Sequence, residues 1–170
     1  MSKAFLLAAG KGTRLKPLTD STAKCLLPLS GKPLLEYWLR LCERHGMSEV
    51  LINLHHHADQ VRSFIASREW PLRIHLAFEP SLLGSAGTLN ANRDFVADAT
   101  SFAVFYADNL TNINLTAMRE AHQHTDSLLT MGLFHAANPA ACGIVEMDQG
   151  GRIVDFVEKP SEPRSDLANA

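Results

Sequence analysis

Six basic side chains fall within the first 32 residues (Lys3, Lys11, Arg14, Lys16, Lys24 and Lys32) against a single acid, Asp20. That local net of +5 sits in a chain whose overall formal charge is −2. A local positive field of this kind attracts an anion. The chemistry concentrates in Leu6-Leu7-Ala8-Ala9-Gly10-Lys11-Gly12-Thr13-Arg14-Leu15. An apolar run stops at two glycines, and a hydroxyl and a guanidinium follow. Small residues let backbone N–H groups approach phosphate oxygens, and Arg offers a planar fork of donors. Lys24 follows Arg14 by ten residues. Further on, Asp108 comes directly after the apolar run Ser101–Ala107. A carboxylate there suits Mg²⁺ beside phosphates better than it suits solubility alone. Neither common phosphate motif fits. Gly10-x-Gly12 lacks the third glycine of the dinucleotide fingerprint, and Gly10-Lys11-Gly12-Thr13 does not end as a Walker loop must. The loop by itself therefore indicates an anion cradle and leaves the ligand open.

The elements that must position these residues follow from periodicity and punctuation. Residues 3–8 read as a buried strand. Residues 9–32 carry Gly10, Gly12, Pro17, Pro28 and Gly31, and form a long loop of the kind usually kept for function. Pro33, placed at the first helical position, opens a helix to about His45, with Leu34, Leu35, Trp38, Leu41 and Cys42 on one face and Gly46 as its stop. Residues 49–54 and 73–79 read as strands and 58–69 as a helix. Gly84-Ser85-Ala86-Gly87-Thr88-Leu89 is a second glycine-rich turn that opens a helix. Residues 101–107 form a strand, Asn114 caps a helix over 115–124, and 128–135 form another strand. Residues 143–147 and 152–158 look like a hairpin, and 160–168 like a loop. Strands alternating with helices imply an α/β fold: a Rossmann-like, mixed and mostly parallel sheet with helices on both faces. Ligands then bind beyond the carboxyl ends of the strands, where strand order reverses. The Ala9–Arg14 loop, Glu79 and Asp108 all lie at such ends.

Composition narrows the classes. A chain of 170 residues with 46% hydrophobic and 20% charged residues suits one soluble globular domain. No apolar run reaches the roughly 20 residues that span a bilayer, and no signal-peptide pattern precedes the loop. The three cysteines, Cys25, Cys42 and Cys142, are odd in number and far apart, which suits reduced thiols in a cytoplasmic protein. Nucleic acid is disfavoured as a partner: the basic residues alternate with Gly, Pro and Leu, and no aromatic stacking set accompanies them. His55-His56-His57 lacks metal-ligand spacing to Cys or to an acidic cluster and reads as solvated loop histidines.

Several segments together resemble one family. Leu7 through Thr19, Lys24, Leu27-Pro28-Leu29 and Gly31 through Glu36 resemble the signature of the sugar-1-phosphate nucleotidylyltransferases. Glu79 through Leu89 is similar to that family's base-binding segment, especially in mannose-1-phosphate guanylyltransferases. Asp108 resembles its first metal aspartate, Cys142-Gly143-Ile144-Val145 its Tyr-Gly-Val-Val, and Phe156-Val157-Glu158-Lys159-Pro160 its Phe-x-Glu-Lys-Pro. The resemblance implies that a sugar 1-phosphate attacks the α-phosphate of a nucleoside triphosphate, giving an NDP-sugar and pyrophosphate. Arg14 and Lys24 would be catalytic. Leu7, Ala8, Ala9, Gly10, Gly12, Thr13, Arg14, Lys24, Glu79 and Gly84 would bind the nucleotide, with GTP favoured. Gly143, Glu158, Lys159 and Asn169 would bind the sugar phosphate, with mannose 1-phosphate favoured, and Asp108 would hold Mg²⁺. Thymidylyl or uridylyl transfer, a non-catalytic nucleotide-sugar-binding relative, and self-association stay open as alternatives. Three departures stand out: Ala23 and Cys25 flank Lys24 where the family has proline, and Ala107 replaces the glycine before the aspartate. The family also runs longer, so the resemblance implies a single catalytic domain cut short at its C-terminal side.

Overall fold

The computed structural model describes residues 2–169. The chain forms two compact units, Met1–Ile113 and Asn114–Ala170.

In the first unit the strands are β1 (Ser2–Leu7), β2 (Pro28–Leu29), β3 (Lys32–Pro33), β4 (Met47–Leu54), β5 (Arg73–Phe78) and β6 (Phe102–Tyr106). Four of them make a wholly parallel sheet in the order β5-β4-β1-β6, and β2 and β3 pair as a small separate hairpin. The central strands read as near-continuous apolar runs because both faces are covered. Ala4, Phe5, Leu6, Val50 and Ile52 are all fully buried. The helices are a single turn α1 (Leu18–Ser21) inside the long loop, then α2 (Leu34–Arg44), α3 (Ala58–Ala66) and α4 (Gly84–Ala91). From β1 the chain steps outward to β4 and β5, then returns to the far side of β1 as β6. Right-handed crossovers, the near-universal hand, put α2 and α3 on one face and α4 on the other. The reversal lies between β1 and β6, and Ala107 N–H donates to Leu7 O at 3.0 Å just past the last paired residues.

Helix α2 shows how local sequence sets the boundaries. Leu35, Trp38, Leu39, Leu41 and Cys42 are buried. Gly46 takes φ +71, the left-handed stop, and its N–H caps Glu43 O at 3.0 Å. Pro33 stands just outside the helix, with extended ψ of 140, rather than at its first position. Its pairing with Pro28 in the β2–β3 hairpin holds it extended. Helix α3 ends at Ala66 rather than near residue 69. There the Ser67 hydroxyl donates to Phe64 O at 2.8 Å and competes with the next helical bond. Lys3 is structural: its ammonium is buried at the start of β1, 2.6 Å from Asp98 and 2.9 Å from Phe95 O.

The second unit holds α5 (Leu115–Gln123) and the strands β7 (Leu133–His135), β8 (Gly143–Met147), β9 (Ile153–Glu158) and β10 (Leu167–Asn169). Asn114 caps α5 through its Oδ1, which accepts from Ala117 N–H at 3.0 Å. The sheet is antiparallel in the order β7-β10-β8-β9, so parallel and antiparallel pairing are segregated into separate sheets. The β8–β9 hairpin is as expected, its turn held by Asp148 Oδ1, which accepts from Gly150 and Arg152 N–H at 2.9 Å. Two expectations shift. Residues 167–169 are a strand rather than loop, because Ala168 is fully buried against Ile144 and Ala136. The strand expected over 128–135 shrinks to Leu133–His135, the three residues that β10 is long enough to pair; Leu128 is fully exposed.

Candidate functional site

A cleft of about 220 Å³ opens in the first unit at the carboxyl ends of the parallel strands. Its lining includes Leu7 at the end of β1, Ala8, Ala9 and Gly10 after it, Lys24 from the long loop, Glu79 and Gly84 after β5, and Asp108 after β6. Of the residues read as nucleotide- or metal-binding, these eight come together. Gly12, Thr13 and Arg14 do not line the cleft. They form the turn that follows it, with Arg14 exposed. Gly12 has φ +64, its carbonyl accepts from Thr19 Oγ1 at 2.8 Å, and an added Cβ would lie 2.7 Å from Thr19 Cγ2. The loop is therefore folded onto itself at a position only glycine fills without strain.

Lys24 and Asp108 form an ion pair at the rim of the cleft. Lys24 Nζ lies 2.5 Å from Asp108 Oδ2, and both groups touch solvent. The Asp108 turn is anchored from α2: Trp38 Nε1 donates to Asn109 O at 2.8 Å, and the indole stacks on Phe105. Trp38 thus has a support role besides its core role. Ala107 stands where the family has glycine. Among the described residues the non-glycine positive φ angles belong to Ser30, His57 and Lys159, so this backbone accepts alanine. Cys25 also lines the cleft, but burial pushes its thiol up to about 12, which leaves it protonated and inert.

Of the cleft's polar floor, sequence reasoning found Glu79 and missed Asn53 and Thr88. Asn53, Glu79 and Thr88 are all buried and bonded to one another. The available signal was Asn53 itself, an amide near the end of the apolar run Val50-Leu51-Ile52. The Glu79 carboxylate accordingly faces inward and is occupied by donors from the protein. The histidines also differ from expectation. His55 Nδ1 bonds Glu79 O at 2.8 Å and His57 Nε2 lies 3.3 Å from Thr19 O, so both brace the loops. His56 is exposed. Among the described residues no group of three or more His, Cys, Asp or Glu side chains is arranged to hold a metal.

In the second unit Gly143, Glu158, Lys159 and Asn169 converge. A Cβ built on Gly143 would lie 2.6 Å from Asn169 Oδ1 and 2.9 Å from Glu158 Oε2. Gly143 pairs opposite Glu158 across β8 and β9, and Lys159, at φ +48, reaches Glu158 Oε1 at 3.1 Å. A side chain at this crossing would collide with Asn169, Phe156 and Glu158, so glycine is what lets the amide and the carboxylate close over the strand.

The family model for nucleotidyl transferases matches residues 3–170. The chain belongs to the nucleotidyl transferase family. A UTP–glucose-1-phosphate uridylyltransferase of Synechocystis is 31% identical over 94% of this chain and 44% of its own length. Mannose-1-phosphate guanylyltransferase 1 of Arabidopsis thaliana is 31% identical over 93% of this chain and 45% of its own length. The chain thus spans about half the length of the curated relatives it matches. A crystal structure of a candidate glucose-1-phosphate thymidylyltransferase from Bacillus anthracis shares the fold, with a TM-score of 0.85 at 23% identity, over 99% of this chain and 69% of that one. No helix among the described residues is long and apolar enough to cross a membrane.

Proposed function

We propose that the protein transfers a nucleotidyl group from a nucleoside triphosphate to a sugar 1-phosphate, with release of pyrophosphate. The observation that carries this reading is the cleft where strand order reverses, with the glycine loop, Lys24 and Asp108 on its rim. In the reaction a phosphate oxygen of the sugar phosphate forms a bond to the α-phosphorus. The bond from that phosphorus to the β-phosphate oxygen breaks, and pyrophosphate carries the electron pair away. The attacking phosphate is already largely ionised at neutral pH, its second pKa being about 6 by analogy with phosphoserine. No general base is required, and rate comes from positioning and charge neutralisation.

The residues divide the work. Backbone groups of Ala8–Gly10, with Leu7 behind them, seat the nucleotide. Gly12 and Thr13 shape the turn that presents Arg14 to the outer phosphates. Lys24 leaves Asp108 and takes up charge developing at the α-phosphate. The Glu79–Gly84 turn bounds the base. Gly143, Glu158 and Asn169 contact the sugar, and Lys159 its phosphate. Asp108 suits Mg²⁺: it is a solvent-touching carboxylate that belongs to no cluster of three or more ligand side chains among the described residues, and Mg²⁺ typically takes one or two carboxylates and completes its shell with substrate phosphates and water. Bound there, Mg²⁺ supplies charge neutralisation on the phosphates.

GTP and mannose 1-phosphate are the favoured pair, because the Glu79–Leu89 segment resembles that of guanylyltransferases. A single catalytic domain and a cytoplasmic location complete the reading. The test is pyrophosphate release by the purified protein with Mg²⁺ across a panel of GTP, dTTP and UTP against sugar 1-phosphates. Release that needs both substrates, fastest with GTP and mannose 1-phosphate, is expected. No release with any pair would overturn the enzyme reading and favour a non-catalytic binding relative.

A further inference from the structure

We propose that Asn53 is a positioning residue of the nucleotide cleft, and that its carboxamide locks the phosphate-side loop to the base-side turn. This rests on the nucleotide reading of the cleft given above. The amide is used at both ends. Its Oδ1 accepts from Ala8 N–H at 2.7 Å, the first residue past β1. Its Nδ2 donates to Glu79 Oε1 at 2.9 Å and to Thr88 Oγ1 at 3.1 Å. Thr88 spends its one hydroxyl proton on Glu79 Oε1 at 2.5 Å, so it accepts from Asn53. The other carboxylate oxygen of Glu79 accepts from Leu83 N–H at 3.3 Å. Both walls of the cleft therefore register on one side chain: the glycine loop through Ala8, and the Glu79–Leu83 turn with α4 through Glu79 and Thr88.

Three features argue for positioning rather than bulk stability. Asn53, Glu79 and Thr88 are 5%, 3% and 1% exposed, and an apolar core of equal volume would serve stability at least as well. No Lys, Arg or His side chain pairs with the Glu79 carboxylate among the described residues, so hydrogen bonds alone satisfy it. Only an acceptor on one side and a donor on the other completes the set, and in a side chain of this length that is asparagine. Aspartate puts an acceptor where Glu79 needs a donor, and leucine leaves both neighbours unpaired.

The test uses Asn53→Asp alone and combined with Glu79→Gln. Triphosphate dissociation constants for GTP, dTTP and UTP are measured at pH 6 and pH 8, with folding checked by circular dichroism. In Asn53→Asp two carboxyl groups face each other at hydrogen-bond distance and cannot both ionise. One shared proton restores the missing donor, so the variant binds close to wild type at pH 6 and about tenfold or more weaker at pH 8. His55 at Glu79 O, and Lys24 with Asp108 elsewhere on the cleft, are common to wild type and variant, so the variant-to-wild-type ratio isolates the new pair. In the double variant the carboxamide introduced at position 79 donates to the carboxylate introduced at position 53, which reverses the polarity of the original bond. Affinity then returns to within about threefold of wild type and the ratio loses its pH dependence. If Asn53→Asp does not fold at pH 8, the double variant decides alone. A folded Asn53→Asp with wild-type affinity at both pH values, or a folded double variant without rescue, overturns the proposal. Wild-type protein that binds no triphosphate overturns the nucleotide reading itself, a result separable from either.

Discussion

Gly12 and Lys24 illustrate two kinds of necessity at the residue scale. Gly12 is required by backbone geometry, with φ +64 and no room for a Cβ beside Thr19. Gly12→Ala is expected to cost about 1–3 kcal/mol in stability by urea denaturation and to weaken nucleotide binding with it. Lys24 enters the proposed reaction through its charge. Its ion pair with Asp108 is open to water, and such pairs contribute only about 0–1 kcal/mol. Lys24→Ala should therefore leave the melting temperature nearly unchanged while lowering turnover about 10²–10³-fold, as loss of a transition-state charge partner does. Unaltered turnover would remove Lys24 from the mechanism. Both residues were visible in the sequence as candidates, since glycines and cations at a strand end carry their own chemistry. Asn53 was not. A lone amide inside an apolar strand shows its purpose only when Ala8, Glu79 and Thr88, 45, 26 and 35 residues away in sequence, are seen around it.

Elements were legible where period and punctuation agreed. Helix α2, with an apolar face and Gly46 beyond it, fell within a residue or two of its expected bounds. The limits of β7 and β10 were not, because a three-residue strand is defined by its partner rather than by its own pattern. The docking of α2 rests in part on Glu36, whose buried carboxylate is 2.9 Å from both Arg40 and Arg68. Burial alone would raise its pKa, but the bonds and charges of the two arginines outweigh that and hold it below its ordinary value of 4.5. A depressed folded pKa means stability that is present above the unfolded value and lost as pH falls through the folded one. The stability gap between wild type and Glu36→Gln should thus be constant above about pH 4.5 and close progressively below it, in urea unfolding across pH. A gap that does not change with pH would contradict this assignment.

Over the whole molecule, a chain of net charge −2 carries a basic loop segment (Lys11, Arg14, Lys16 and Lys24) in the first unit and the Gly143–Glu158–Asn169 crossing in the second. The two units carry different parts of the proposed reaction, and a variant in one should leave the other's ligand untouched. Gly143→Ala forces Glu158 and Asn169 aside. It is expected to raise the KM for sugar 1-phosphate about tenfold or more while the triphosphate dissociation constant stays within about twofold of wild type. Parallel loss of both would show that the division is not real. The α/β class and the rim positions were legible because alternation and strand-end placement are local signals. The split into two sheets was not, since pairing partners are non-local. The most direct test of the account is calorimetric titration of the wild-type, Lys24→Ala and Asp108→Asn proteins with GTP, dTTP and UTP, with and without Mg²⁺. The account predicts one triphosphate per chain, Mg²⁺-dependent in wild type and weakened in both variants. Absence of triphosphate binding, or binding indifferent to both substitutions, would contradict it.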